Sequence, residues 1–95
     1  MKEVRPTTGK TLGALFSILG PLSGMSFLDL FSGTGRVAKE ARARGASVVT
    51  VELLRDRAAE IRRALGEENH IALCMDVRRA LNWLEKRELS FDVIF

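Results

Sequence analysis

Three acids and a pair of glycines hold the chemistry that this sequence could perform. Asp29 interrupts the apolar run of Phe27, Leu28 and Leu30, and Ser32-Gly33-Thr34-Gly35 follow it. Ala38 completes a G-x-G-x-x-A spacing at the start of a helical stretch near Arg36. Strand, glycine turn and helix, in that order, cradle nucleotide-like ligands in open parallel sheets. The glycines let the backbone turn sharply and let a ligand approach closely. The spacing alone is permissive, and two acids sharpen it. Asp29 sits at the carboxyl end of its strand, where such sheets open their ligand crevice. Glu52 closes a second run, Val48 to Val51, about 20 residues after the first glycine, where an acid that accepts ribose hydroxyls is expected. Asp76 follows a third run, Ile71 to Cys74, and can cap a helix.

The elements that must position these residues can be read from periodicity. Leu12, Leu15, Phe16 and Leu19 recur at helical spacing, with Thr8 or Thr11 as cap and Gly20-Pro21 as stop. Residues 1–24 therefore read as an extended arm and a helix, and residues 25–95 as the core. Val37, Ala38 and Ala41 mark the buried side of a second helix that Gly45 ends. Ala58, Ile61 and Leu65 mark a third, and Val77, Ala80, Leu81 and Leu84 a fourth. Phe91, Val93, Ile94 and Phe95, broken by Asp92, begin a fourth strand. The alternation predicts an α/β protein: a Rossmann-like parallel sheet with helices on both faces, in three layers and one domain. A parallel strand needs cover on both faces. Ending on its most apolar stretch, the chain is expected to be a domain truncated after the fourth strand. Phe91 to Phe95 would then be an open edge through which copies can associate.

Composition narrows the classes. Ninety-five residues make at most one small domain, and a net charge of +3 permits a nucleic-acid partner without demanding one. A single cysteine, Cys74, excludes a disulfide framework and fits a reducing, cytoplasmic setting. No apolar run reaches the ~20 residues that span a membrane. Cys74 reads as a buried small hydrophobe, His70 as a strand-edge residue, and Trp83 as packing against a neighbour off the main stripe of its helix. Gly9-Lys10-Thr11 lacks the earlier glycine of a phosphate-binding loop, since Val4 stands there. The arginines of the second and third helices, Arg57 and Arg62 among them, fit a solvated face as readily as an RNA-facing patch.

The motifs together resemble the amino-terminal part of a class I S-adenosylmethionine-dependent methyltransferase. More narrowly, they are similar to the bacterial family that methylates the exocyclic amine of a guanine in small-subunit ribosomal RNA. Arg5-Pro6-Thr7-Thr8 with Leu15-Phe16 resembles that family's opening arm and helix. Asp29 to Gly35, DLFSGTG, resembles its first cofactor motif, and Val51-Glu52 its second. Asp76 with Ala80-Leu81 resembles the third. Phe91 to Phe95 resembles the strand that leads into an Asp/Asn-Pro-Pro-Tyr/Phe catalytic loop, which would lie beyond Phe95.

The resemblance implies S-adenosylmethionine as cofactor. Asp29 and the backbone of Phe31, Ser32, Gly33, Thr34 and Gly35 would hold its methionine end. Glu52 would accept the ribose diol. Asp76 would accept the adenine amine, with Val77 and Leu53 as walls. Arg5 and Lys10 would face the RNA, on a ribosomal RNA or a pre-assembled small subunit. The chain alone is expected to be inactive without the catalytic loop. Two other readings stay open: part of an NAD-dependent oxidoreductase, and a non-catalytic module that binds cofactor or another chain. Asp29 opposes the first, because an acid near the helix start repels a pyrophosphate.

Overall fold

The computed structural model describes residues 9–95, with side chains from residue 13 onward. The arm of residues 1–8, including Arg5, and the side chain of Lys10 lie outside the described residues. Four helices and four strands alternate: α1 (Gly9–Leu19), β1 (Ser26–Asp29), α2 (Arg36–Ala43), β2 (Ser47–Val51), α3 (Arg55–Leu65), β3 (His70–Leu73), α4 (Val77–Lys86) and β4 (Val93–Ile94). Thr11 lies within α1 and so does not cap it. Thr8, the other expected cap, lies outside the described residues.

The sheet order is β3-β2-β1-β4, with every neighbouring pair parallel. From β1 the chain steps outward to β2 and β3, then returns across the sheet to β4. Crossovers between parallel strands are right-handed, so reversing direction moves the connecting helix to the other face. The cores follow that rule. Phe27 and Val48 pack with Phe16 of α1, with Val37, Ala38 and Ala41 of α2, and with Ile61 and Leu65 of α3. Leu28, Val49, Val51 and Leu73 point the other way and pack with Ala80 and Leu84 of α4. Successive strand residues thus feed opposite layers, as a period of two requires. The three-layer α/β arrangement expected from the alternation is present.

Two details of the expected packing differ. Helical spacing puts Leu81 on the apolar stripe of α4, but it is exposed. The stripe runs through Val77, Ala80 and Leu84, and α4 rolls toward Trp83, which packs against the second core. The Arg87 guanidinium covers that indole at 3.6 Å from the ring centroid. Regular pairing in the fourth strand is limited to Val93 and Ile94, although the Phe95 N–H still donates to Leu28 O at 2.8 Å. The expected apolar edge is there: Ile94 is 62 % exposed and Phe95 nearly half.

Short as it is, β4 is held in register by a clasp at its start. The N–H and hydroxyl of Ser26 donate to Asp92 Oδ2 at 2.8 and 3.2 Å. The Asp92 N–H donates in return to Ser26 O at 3.0 Å. These bonds are exposed, so each contributes about 1 kcal/mol or less. Replacing Asp92 with Ala is expected to lower the unfolding free energy by about 1 kcal/mol, read as a lower urea midpoint at unchanged slope.

Candidate functional site

In an open parallel sheet the ligand crevice lies outside the carboxyl ends of the strands. Here the turn after β1 is built by two left-handed glycines, Gly33 at φ +53° and Gly35 at φ +80°. Gly35 is also the N-cap of α2. A Cβ placed on it would stand 3.0 Å from Ile61 Cγ1, so this glycine lets α2 approach α3 as well as turn the chain. Ser32 ties the turn down: its N–H donates to Val51 O at 3.0 Å, and its hydroxyl donates to Asp29 O at 3.1 Å.

The resulting crevice has a volume of about 540 Å³ and spans the tips of β1, β2 and β3. Leu30, Phe31 and Gly33 line it from β1; Val51, Glu52, Leu53 and Arg57 from β2 and α3; Met75, Asp76, Val77 and Arg78 from β3 and α4. Of the residues expected from sequence to bind a cofactor, Phe31, Gly33, Glu52, Leu53, Asp76 and Val77 are therefore brought together. Asp29, Ser32 and Gly35 are buried in the turn that supports the crevice, and Thr34 is exposed without lining it. Sequence reasoning did not pick Leu30, Val51, Met75 and Arg78 for the site, and placed Arg57 only in a helix-face patch. Each lies within a few residues of an acid at a strand tip, which is the signal that could have found them.

The acids differ in state. Glu52 Oε2 accepts the Leu54 N–H at 3.3 Å, which turns the carboxylate into the loop after β2. Asp76 Oδ1 caps α4 by accepting the Arg79 N–H at 3.0 Å. Asp29 is only 1 % exposed, and its Oδ2 has no hydrogen-bond partner. Burial, aided by the nearby Glu52 charge, pushes its carboxyl up to about 6, against the opposing pull of the Phe31 N–H and the Ser32 hydroxyl. Phe31 itself stands 80 % exposed and Leu53 64 % exposed at the mouth of the crevice.

Two residues are placed differently from the sequence reading. Cys74 is exposed rather than buried. β3 ends at Leu73, whose side chain takes the core position, and the next residue turns outward with its Sγ 3.8 Å from Leu53 O. His70 lies on the edge strand as expected, but it is buried. Its ring spans Gly66 O at 2.9 Å and the Thr50 hydroxyl at 2.8 Å. A carbonyl only accepts, so the neutral ring donates from Nδ1 and accepts the Thr50 proton at Nε2. Burial is the main cause holding its pKa below the usual histidine value. Among the described residues, no group of three or more His, Cys, Asp or Glu is placed to hold a metal ion. No described helix is long and apolar enough to cross a membrane.

Strand order, a crevice at the carboxyl ends of the strands and acid-tipped strands define a Rossmann-like α/β domain of the kind found in methyltransferases. The chain belongs to the family described as conserved hypothetical protein 95, which matches residues 1–95. A comparison with curated proteins found no match. Among solved structures, a conserved hypothetical protein from Streptococcus pyogenes is 35 % identical with a TM-score of 0.71, over 87 % of this chain and 54 % of that one. SMU.776, a candidate methyltransferase in complex with SAH, is 25 % identical with a TM-score of 0.73, over 90 % and 24 %. PH1948 from Pyrococcus horikoshii, a candidate RNA methyltransferase, is 28 % identical with a TM-score of 0.62, over 72 % and 35 %. The chain thus spans about half or less of the length of these structures.

The state of Asp29 has a measurable consequence for stability. A carboxyl whose folded pKa of about 6 exceeds its ordinary 3.8 favours the fold when protonated. That contribution is present below pH 3.8 and is lost as pH rises through 6. Replacing Asp29 with Asn removes the buried charge. The variant is expected to be more stable than the parent at pH 8 by about 1–3 kcal/mol, and the gain should shrink to nothing below about pH 4. Urea unfolding at both pH values measures it.

Proposed function

We propose that this chain forms the cofactor-binding part of an S-adenosylmethionine-dependent methyltransferase that acts on RNA. The acceptor in this reading is the exocyclic amine of a guanine in small-subunit ribosomal RNA. The observation that carries the reading is the crevice itself: two acids, Glu52 and Asp76, face one apolar cleft, while a third, Asp29, waits behind it with an unpaired oxygen. Support also comes from the likeness to a fold that holds SAH in SMU.776. The RNA part is supported by the resemblance to the ribosomal RNA family and by the likeness to PH1948.

Donor-set chemistry fits the group. The Glu52 carboxylate can accept two neighbouring hydroxyls of a ribose. Asp76 spends one oxygen on the α4 cap, and its other oxygen is available to an exocyclic amine. Leu30, Val51, Met75 and Val77 supply the apolar slot that a purine ring needs. The Asp29 Oδ2 is the acceptor that an incoming ammonium would satisfy, and the positive charge would favour the ionised carboxyl. The bound cofactor supplies a methyl already activated as a sulfonium. The protein's share is then to hold donor and acceptor in line and exclude water. A nicotinamide dinucleotide fits less well, because its pyrophosphate would lie over the turn between β1 and α2, close to the acid at the tip of β1.

Isothermal titration of the chain with S-adenosylmethionine, S-adenosylhomocysteine and NAD tests this reading. The two adenosyl ligands are expected to bind, and NAD is expected to bind at least about tenfold more weakly. Glu52→Ala should weaken adenosyl binding by about 10- to 100-fold, the cost of leaving two ribose hydroxyls without their acceptor. Binding should also strengthen from pH 5 to pH 7.5, as Asp29 ionises through about 6. Tighter binding of NAD, or no adenosyl binding at any pH, overturns the reading.

A further inference from the structure

Helix starts are the positive ends of their dipoles, and acids are favoured there. At the mouth of the crevice, α3 and α4 depart from that preference. Arg55 and Arg57 stand in the first turn of α3 with a single acid, Asp56. Arg78 and Arg79 stand in the first turn of α4, whose only acid is Asp76, the cap just before it. All four are exposed, and Arg57 and Arg78 line the crevice. None of their guanidinium groups makes an ion pair or hydrogen bond among the described residues. At the opposite ends, Arg62 and Arg63 of α3 and Lys86 of α4 sit where a helix favours cations. One acid at each start, Asp56 in α3 and the cap Asp76 in α4, stands against two arginines, so the helix dipoles account for the basic residues at the far ends and not for the four at the mouth.

Something anionic at the mouth would account for them. It cannot be seated within the crevice, where Glu52 and Asp76 already present negative charge. The arginines come from two helices on either side of the cleft, so a single small anion would leave most of them unused. A strand of successive phosphates would engage several. Phe31, 80 % exposed at the same mouth, offers a ring on which an unpaired base can stack. Basic residues beside an exposed aromatic form the pattern that holds single-stranded nucleic acid. We infer that the starts of α3 and α4 form a track for the sugar-phosphate backbone of single-stranded RNA, with Arg55, Arg57, Arg78 and Arg79 as its phosphate contacts. This track rests on the RNA reading proposed above, and it assigns the contact to this face rather than to the basic far ends of the helices.

The experiment compares two double variants with equal loss of charge, Arg55→Gln/Arg79→Gln at the mouth and Arg62→Gln/Arg63→Gln at the far end. A labelled single-stranded RNA of about 12 nucleotides is titrated with each chain by fluorescence anisotropy, across about 50 to 200 mM KCl. The mouth variant is expected to lose about tenfold in affinity at the lowest salt. Its slope of log K against log salt should fall by about 1.4, the release expected for two contacts on a single strand. The far-end variant should keep the parent's slope. Equal losses in the two variants, no loss in either, or no RNA binding by the parent chain overturns the track. Titration of all three chains with S-adenosylhomocysteine separates this outcome from the cofactor reading: a parent that binds RNA along the track but no adenosyl ligand sinks only the methyltransferase proposal.

Discussion

A single buried carboxylate sets the terms for this structure. Asp29 lies at the tip of the strand that pairs on both sides, with β2 and with β4, so it is enclosed by the sheet and by the turn beyond it. An unpaired charge in that position is costly. The turn meets only part of the cost, through the Phe31 N–H, and one oxygen stays without a partner. A sequence under pressure for stability alone would place Asn or an apolar residue there. Retaining the acid is coherent if a cation completes it, and the crevice beside it is where one can arrive.

Topology explains why that acid is not alone. The β1–β2 register aligns Asp29 with Thr50, so Glu52 follows just past the same edge of the sheet. The β2–β3 register aligns Val51 with Leu73, which carries Asp76 to the same side. Three acids far apart in sequence thus gather because parallel strands end together. The glycines serve the same arrangement from the opposite direction. Gly35 admits Ile61 where a Cβ would collide, which brings α2 and α3 together on one face of the sheet and leaves the strand tips open.

Much of this was legible in the sequence for plain physical reasons. Buried strands show as β-branched runs, their ends show as acids, and helix starts show as glycine or Asp caps. Hence the element order, the three layers and the acids Glu52 and Asp76 in one cleft follow from residue types and spacing. Burial at strand ends is harder to read. His70 and Cys74 bracket the same short strand, and their positions are the reverse of what polarity suggests. The histidine is inside because the end of α3 offers a carbonyl and β2 offers a hydroxyl to its two ring nitrogens. The cysteine is outside because Leu73 takes the last core position. Both outcomes depend on partners from other elements, which no window along one segment contains. Leu81 and Trp83 show the same limit on a helix: spacing locates a stripe to within a residue or so, and the roll of α4 against the sheet decides its borders.

Charge is divided along one edge of the molecule. Acids line the cleft, and arginines crowd the helix starts around it, so one small surface presents opposite signs a few residues apart. If net charge were the only consideration, these groups would neutralise each other as surface ion pairs, each contributing little. They do not: Glu52 turns to the Leu54 backbone and Asp76 to the Arg79 backbone, leaving their arginine neighbours outward. Each carboxylate spends one oxygen on a backbone N–H at the rim of the cleft, and the guanidinium groups stay free at its mouth. Under the proposed reading, with a cationic ligand inside and a polyanion outside, that separation is what the site needs, and backbone hydrogen bonds provide it without any charge being cancelled.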